Sequence, residues 1–213
     1  MKKNCIVVGA GDFYKENFPY PEDSYIIAAD GGFAHLSEIG IVTDMVIGDF
    51  DSLGEIPSHK NIVKLPVKKD DTDIMSAVKY ALENGAETIY IYAGTGGARF
   101  DHTVANIQIL QFIAKSGAIG FIVDKDFIMT AFKDKTLIFD ENFKGTISLF
   151  SLYEKAEEVS IKGLLYEGEN LSLTPDFPLG VSNSFKGEKA EISAKKGVLT
   201  AIWYDKKFPE IKK

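Results

Sequence analysis

Short apolar runs alternate with amphipathic stretches through the first 125 residues. Short β-rich runs that alternate with helical patterns are typical of a doubly wound parallel sheet. Between them, 72–86 and 102–117 have helical apolar spacing and end in Gly, which predicts two helices. The predicted strands are 5–10, 25–30, 45–50, 61–66, 88–94 and 118–124.

The pattern changes after residue 125, where short segments of alternating polarity follow one another without a helical repeat. Such alternation, broken by Gly, Asn and Lys-Gly turns, favours antiparallel strands. We therefore predict an α/β protein: a doubly wound, mostly parallel sheet domain over 1–125 and a C-terminal antiparallel β-sandwich domain over 126–213.

Composition and charge narrow the possible partners. The 213 residues include 24 basic and 31 acidic side chains, for a formal charge of −7, which argues against nucleic acid or an anionic membrane as the main partner. The sequence shows neither a signal peptide nor a membrane-spanning run, so we expect a cytoplasmic protein. The single cysteine, Cys5, lies in an apolar run and is expected to be a buried thiol without a disulfide partner.

Acidic residues collect where predicted strands end. Asp30 ends the second strand, Asp49 and Asp51 lie at the end of the third, and "KKDDTD" at 68–73 follows the fourth. Ligands of open α/β sheets bind at the carboxyl ends of strands, so these acids are expected at one rim. Carboxylates two apart on an extended segment point the same way, which is unfavourable without a cation, and Mg²⁺ prefers oxygen ligands.

Capping is the alternative explanation for the second acidic group. Asp71 or Thr72 could cap the following helix, and Asp73 would favour its positive end. Three acids within four residues exceed what a cap requires, so Asp73 is interpreted as a metal ligand.

A glycine-rich stretch, "AGTGGARFDHTVAN" at 93–106, joins the fifth strand to a helix. Gly96 and Gly97 let backbone N–H groups approach an anion, Arg99 adds a fork of donors, and the helix N-terminus adds partial positive charge. We interpret the stretch as a phosphate-binding loop. The alternative is a tight turn in which Asp101 is the N-cap and Arg99 lies in solvent.

The ordered set "ADGG", "GDFDS", "DDTD" and "GGARFDH", followed by "GLLYEGE" and "GVSNSF", resembles bacterial thiamine pyrophosphokinases along essentially the whole chain. The resemblance implies an ATP-binding catalytic domain over 1–125, a thiamine-binding domain over 126–213, and a homodimer with active sites at the subunit interface. The implied reaction transfers the pyrophosphoryl unit of ATP to the thiamine hydroxyl and leaves AMP.

The resemblance also assigns roles to individual positions. Asp49, Asp51 and Asp73 match the family's Mg²⁺ ligands, and Ser182 and Asn183 match a pair that meets thiamine, although Ser184 follows where an acid is common. Trp203 is a candidate to stack on thiamine across the dimer, with core packing as the alternative. The positions matched to ATP binding are Asp30, Gly31, Gly32, Gly96, Gly97 and Arg99.

Phosphoryl-type transfer needs positioned reactants and stabilised negative charge rather than a covalent nucleophile. Arg99, Asp71 and Asp101 are the candidate catalytic residues, and either Asp71 or Asp101 would accept the alcohol proton, with His102 as a weaker candidate. His35 and His59 are expected to be structural.

Two other functions remain open at this point. "DFDS" after a strand also resembles the nucleophilic motif of haloacid-dehalogenase-type phosphatases, although that motif belongs on an N-terminal strand. A non-catalytic nucleotide- or thiamine-binding sensor would keep ligand affinity without turnover, but it gains little from several crowded carboxylates.

Overall fold

A computed structural model describes residues 2–18, 20–50, 58–68 and 70–212. The chain divides into two compact units, Met1–Lys125 and Asp126–Lys213. No helix among the described residues is long and apolar enough to cross a membrane.

Unit 1 alternates strands and helices as predicted, with a short 3-10 helix at Lys15–Asn17 after the first strand. Its elements, in chain order, are β1 (Asn4–Val8), β2 (Ser24–Ala29), α1 (Gly32–Glu38), β3 (Met45–Gly48), β4 (Ile62–Lys64), α2 (Asp73–Glu83), β5 (Thr88–Tyr92), α3 (Phe100–Lys115) and β6 (Ile119–Val123).

The strands of unit 1 form a parallel sheet in the order β6-β5-β1-β2-β3-β4. Strand β1 is central: Asn4 is in register with Ser24 of β2 on one side and with Thr88 of β5 on the other. The order therefore reverses between β1 and β5. In doubly wound sheets a crevice opens at such a reversal, outside the carboxyl ends of the strands.

Burial explains why these segments are strands with continuous apolar runs. Cys5, Ile6, Val7 and Val8 of β1 are completely buried, as expected for a central strand covered on both faces. Burial raises the pKa of the Cys5 thiol to about 12, so this group is a core thiol, as predicted. Strand β4 pairs with β3 and is much more exposed.

Both predicted helices are confirmed, with shifted ends. Helix α2 buries Ile74, Ala77, Val78 and Ala81, and its N-cap is Thr72, whose hydroxyl oxygen accepts a hydrogen bond from the backbone N–H of Met75 at 3.2 Å. Helix α3 begins at Phe100, two residues before the predicted start.

Unit 2 is antiparallel in all its described strand pairs. One sheet has the order β12-β9-β14-β7 and the other β11-β10-β13-β8-β15. The strands are β7 (Ile128–Phe132), β8 (Thr136–Phe139), β9 (Thr146–Phe150), β10 (Ala156–Lys162), β11 (Gly168–Leu173), β12 (Gly180–Ser184), β13 (Ala190–Lys196), β14 (Leu199–Trp203) and β15 (Glu210–Lys212).

Aromatic side chains fill the space between the two sheets of unit 2. Phe139 of β8 meets Trp203 of β14 edge to face, with ring centroids 5.5 Å apart, and also contacts Phe143 and Phe185. Because β8 and β14 belong to different sheets, this cluster joins the sheets face to face. The predicted antiparallel β-sandwich is confirmed.

Candidate active site

The loops that follow β1 and β5 lie side by side at the point where the strand order reverses. Backbone N–H groups of Gly9, Gly11 and Asp12 donate to carbonyls at 92, 93 and 95, at 2.9, 2.9 and 3.0 Å. A Cβ atom on Gly11 would lie 2.5 Å from the carbonyl oxygen of Thr95, so this close approach requires glycine. The two loops form the floor of a cleft.

The "DGG" turn after β2 supplies a second wall. Asp30 has a left-handed backbone (φ 47°), and its N–H donates to the carbonyl of Ile47 at 2.8 Å. A Cβ on Gly32 would collide with the carbonyl oxygen of Val8, and one on Gly31 would lie 2.9 Å from the Cβ of Ala10. The two glycines thus let the turn pack against the β1 loop.

The end of β3 differs from the prediction. The strand ends at Gly48, and Phe50 is buried with a left-handed backbone (φ 61°). The segment is therefore not extended at 50, so the predicted strand 45–50 is two residues too long. The pairing of Asp49 with Asp51 stays a prediction. Asp49 lines the cleft, and Asp51 lies outside the described residues.

The start of α2 brings the second acidic group to the same place. Thr72 caps the helix, as the capping alternative predicted, and Asp73 in the first turn lines the cleft. Asp71, just before the cap, accepts hydrogen bonds from the Lys79 ammonium on both carboxylate oxygens, at 2.6 and 2.8 Å. Capping and cleft lining are thus divided between neighbouring residues.

The glycine-rich loop turns sharply after β5. Ala93, Gly96 and Gly97 all have left-handed backbones, with φ of 49°, 72° and 73°. A Cβ on Gly96 would collide with the carboxylate of Asp12. Gly96 and Gly97 line the cleft, as required of a loop that presents its backbone to an anion.

Arg99 occupies the N-cap position of α3, where it makes no side-chain cap hydrogen bond. Its guanidinium instead donates to both carboxylate oxygens of Asp101, at 3.0 and 2.6 Å. Asp101 is the second residue of the helix, so it is not the N-cap. The hydrogen bond from Arg99 lowers the pKa of Asp101 to about 2, which keeps this carboxylate ionised and makes it a weak proton acceptor.

Sequence reasoning missed several residues of the cleft. Asn106, from the second turn of α3, is buried and donates to the carbonyl of Gly94 at 2.7 Å. The loop 9–12 is held partly by His35, whose Nε2 lies 3.1 Å from the carbonyl oxygen of Gly11. The motif "GAGD" directly after the first strand could have indicated that the loop 9–12 belongs to the cleft. No sequence motif indicated Asn106.

The cleft as a whole has a volume of about 440 Å³. It brings together most of the predicted ATP and metal residues of unit 1, and a smaller cavity of about 220 Å³ adjoins it, sharing Asp30, Asp73 and His102 and reaching Asp71. The predicted residues that line the main cleft are Asp30, Asp49, Asp73, Gly96, Gly97 and Arg99.

The donor set of the cleft fits a hard cation that also binds phosphate. Asp30 and Asp73 each bury one carboxylate oxygen, and Asp49 is a third oxygen donor. In the described ranges, no three acid, histidine or cysteine side chains form a metal site by themselves. Mg²⁺ does not require such a cage, because it binds one or two carboxylates together with water and substrate phosphates.

The remaining candidates lie in unit 2. Ser182 is exposed, has a left-handed backbone (φ 61°) and sits where the β12–β9 register shifts. Asn183 is buried, and its amide pairs with the backbone of Tyr166, donating at 2.7 Å and accepting at 3.0 Å. Asn183 therefore orders this part of unit 2 by holding the backbone of Tyr166 in place.

Trp203 is a core residue of unit 2. It is 0% exposed, and its indole N–H donates to the carbonyl of Lys207 at 3.0 Å. A fully buried ring has no face left for a ligand, so the stacking hypothesis for Trp203 is replaced by its core-packing alternative.

An apolar pocket of about 230 Å³ lies beside Asn183 in unit 2. Leu171 and Leu173 of β11 and Val181 of β12 contribute to its walls, with Tyr166 and Glu167 at its polar side. A pocket of this chemistry suits a small ligand with both apolar and polar edges.

Comparisons with known proteins agree along the chain. Residues 20–119 match the family model "Thiamin pyrophosphokinase, catalytic domain", and 135–199 match "Thiamin pyrophosphokinase, vitamin B1 binding domain". The chain is 31% identical over 189 residues to thiamine pyrophosphokinase of Bacillus subtilis (strain 168), covering 85% of this chain and 87% of the relative.

Solved structures show the same likeness. The crystal structure of thiamine pyrophosphokinase from Bacillus subtilis superposes with a TM-score of 0.83 at 27% identity, over 95% of this chain and 99% of that one. That of the enzyme from Geobacillus thermodenitrificans gives 0.78 at 25% identity, over 95% and 97%.

Proposed function

This chain belongs to the thiamine pyrophosphokinase family, and from that premise we propose that it transfers the pyrophosphoryl group of ATP to the hydroxyl of thiamine, giving thiamine diphosphate and AMP. We further propose that Mg²⁺ is required, that the protein is a cytoplasmic homodimer, and that active sites lie at the subunit interface. None of the likenesses favours the phosphatase or sensor alternatives.

The observation that carries the proposal is the composition of the unit 1 cleft. Asp30, Asp49 and Asp73 meet a left-handed glycine loop and Arg99 around one cavity at the reversal of strand order. Carboxylates alone would repel a triphosphate, and an arginine loop alone would not hold a divalent cation. Their combination suits a metal-bound nucleoside triphosphate.

Each group has a distinct task in the proposed reaction. Asp49, Asp51 and Asp73 would hold Mg²⁺, which when bound offsets charge on the phosphates and on the AMP leaving group. Gly96 and Gly97 present backbone N–H groups to the phosphates, and Arg99 stabilises negative charge that spreads during transfer. Asp30, with the Gly31-Gly32 turn, fixes the nucleotide end of the cleft.

Asp71 is the favoured proton acceptor. Asp101 is exposed, pairs with Arg99 and lines neither the main cleft nor the adjoining cavity, so it is better suited to holding Arg99 in position. Asp71 lines the adjoining cavity beside His102. Its carboxylate keeps lone pairs beyond those that accept from Lys79, and it would receive the thiamine alcohol proton there.

Unit 2 is proposed to bind thiamine. Ser182 lies exposed at the bulge of β12, and Asn183 orders the neighbouring chain beside the apolar pocket. The pocket suits the rings, while the carboxylates of unit 1 serve the phosphates. A homodimer would supply the partner unit that completes each site.

The test is a product analysis. Purified protein is incubated with ATP, Mg²⁺ and thiamine, and nucleotides and thiamine esters are separated by chromatography. We expect AMP to appear in step with thiamine diphosphate, and both to vanish with EDTA and with Asp51→Asn. Asp23→Asn, the same change at an exposed loop before β2, is the matched control and should behave as wild type.

Other products would assign another function. ADP with thiamine monophosphate would make the protein an ordinary kinase that uses the same metal site. An absence of thiamine-dependent turnover would show that thiamine is not the acceptor. The sensor and phosphatase alternatives would then return to consideration.

A further inference from the structure

A lysine on α2 reaches back to the acidic rim. The ammonium of Lys79 contacts both carboxylate oxygens of Asp71, at 2.6 and 2.8 Å. The two side chains are 39% and 36% exposed, and Asp71 lines the smaller cavity together with Asp30 and Asp73. The pair therefore lies at the edge of the candidate active site.

Helix geometry explains why a side chain at 79 can reach Asp71, but it does not explain why that side chain is a lysine. Side chains on an α-helix tilt toward its N-terminus, so a long side chain at 79 extends over the first turn toward Asp71. A cation near a helix N-terminus is unfavourable for the helix dipole. A partly exposed ion pair also adds little to stability. The helix itself thus gains little from Lys79.

The electrostatics of the rim offer a reason. Asp30, Asp49 and Asp73 already line the main cleft, and an unrestrained carboxylate at 71 would be drawn to any divalent cation bound there. Lys79 engages both oxygens of Asp71 instead. The lysine supplies the counter-charge that the metal would otherwise provide.

We propose that Lys79 is a positioning residue that holds Asp71 out of the metal coordination shell and directs its carboxylate toward the acceptor alcohol. The inference rests on the proposed function for the identity of that alcohol. It deepens the function by separating the acids of the rim: Asp49 and Asp73 serve the cation, while Asp71 serves the acceptor.

Three variants test this role in the full-length protein. Lys79→Met keeps the length of the side chain and removes the charge, whereas Lys79→Arg keeps a cation that can reach the same carboxylate. Lys3→Met is the matched control, because it breaks a comparable 2.9 Å ion pair with Glu87 at the opposite, amino end of the sheet.

Two readouts are needed, and we expect them to move in opposite directions. Binding of Mn²⁺, measured from the EPR signal of free Mn²⁺ with α,β-methylene-ATP present, should become several-fold tighter in Lys79→Met, because Asp71 joins the ion. Turnover should fall about tenfold, as is common when a supporting partner is lost. Lys79→Arg should stay near wild type in both, and the melting temperature of Lys79→Met should match that of Lys3→Met.

The coupling to Asp71 is tested in the Asp71→Asn background. Without the carboxylate at 71, Lys79→Met should no longer tighten Mn²⁺ binding. A merely structural lysine would leave Mn²⁺ affinity unchanged in both backgrounds or weaken it together with the melting temperature.

The inference is overturned if Lys79→Met equals Lys3→Met in both Mn²⁺ affinity and turnover, or if its Mn²⁺ affinity falls. Failure of the proposed function is a separate result. If wild type shows no thiamine-dependent turnover, Mn²⁺ affinity still decides what Lys79 does. The comparisons are Lys79→Met against Lys3→Met, and Asp71→Asn with and without Lys79→Met.

Discussion

Single ion pairs distinguish acids that look alike in the sequence. Asp101 is bound by the guanidinium of Arg99, and Asp71 by the ammonium of Lys79. Both pairs are partly or largely exposed, so their value lies in orientation more than in stability. In the proposed function, the same residue type is thereby given different tasks.

The Arg99–Asp101 pair makes a pH prediction. The pKa of Asp101 is lowered from 3.8 to about 2 by the hydrogen bond from Arg99. A carboxylate whose pKa is depressed on folding stabilises the folded state above its ordinary pKa, and this contribution is lost as pH falls through the folded value. The contribution of the pair to stability should therefore be complete above about pH 4 and decline as the pH falls toward 2, where Asp101 of the folded protein is itself protonated.

Side-chain ¹³C NMR titration measures this directly. We expect the Asp101 carboxyl to titrate near 2 in wild type and to return toward 3.8 in Arg99→Gln. Glu157, whose pKa is lowered by Lys155 in unit 2, is the internal control and should not move between the two proteins. An Asp101 titration that is unchanged by Arg99→Gln would show that the pair does not form in solution.

At the scale of secondary-structure elements, the site depends on side chains that join one element to the loop of another. Asn106 of α3 donates to the carbonyl of Gly94 in the loop after β5. His35 of α1 contacts the carbonyl of Gly11 in the loop after β1. Such contacts fix the two loops, and the loop after β5 includes Ala93, a non-glycine residue in the costly left-handed conformation.

Asn106→Ala should destabilise the protein and loosen the cleft. Loss of the amide leaves the Gly94 carbonyl without this buried partner, which costs about 1–3 kcal/mol. We expect a lower free energy of unfolding in urea and a raised KM for ATP.

Asn84→Ala is the matched control for this change. The Asn84 amide also donates to a backbone carbonyl, that of Tyr80 at 2.8 Å, but at an exposed helix end. Equal losses from the two substitutions would contradict a special role for Asn106 in the cleft.

For the whole molecule, the proposed function divides the work between two units, Met1–Lys125 and Asp126–Lys213. The residues proposed to bind the triphosphate and the metal lie in unit 1, and the apolar pocket beside Asn183 lies in unit 2. A ligand that binds in one unit should therefore stabilise that unit and leave the other unchanged.

Hydrogen exchange of the full chain with Mg²⁺ and ATP tests this division. A ligand at about 100 times its Kd stabilises the state that binds it by about 2.7 kcal/mol. We expect slower exchange in the loops at 9–12 and 93–99 and at the start of α2, with 168–184 unchanged.

EDTA should remove this protection, since the carboxylates would then repel the triphosphate. Protection that appears first in 168–184 would place the nucleotide in unit 2 and contradict the assignment.

Much of the fold was predictable because it depends on local order along the chain. Strands, helices and the β-sandwich follow from the spacing of apolar residues, and Asp30, Asp49 and Asp73 lie beside strand or helix ends that this spacing predicts. Parallel strands place their carboxyl ends at one edge, so the acids could be assigned to one rim before any contact was known. The family resemblance also lay within short, ordered motifs.

Other features were decided by the tertiary structure. The position of β5 beside β1 brought the loop at 9–12 into the cleft, burial removed Trp203 from the thiamine candidates, and a left-handed Phe50 ended the extended segment early. Lys79 and Asn106 acquired their partners in the same way. The sequence determines what each segment prefers by itself, whereas strand order, burial and ion pairing depend on which segments meet when the chain folds.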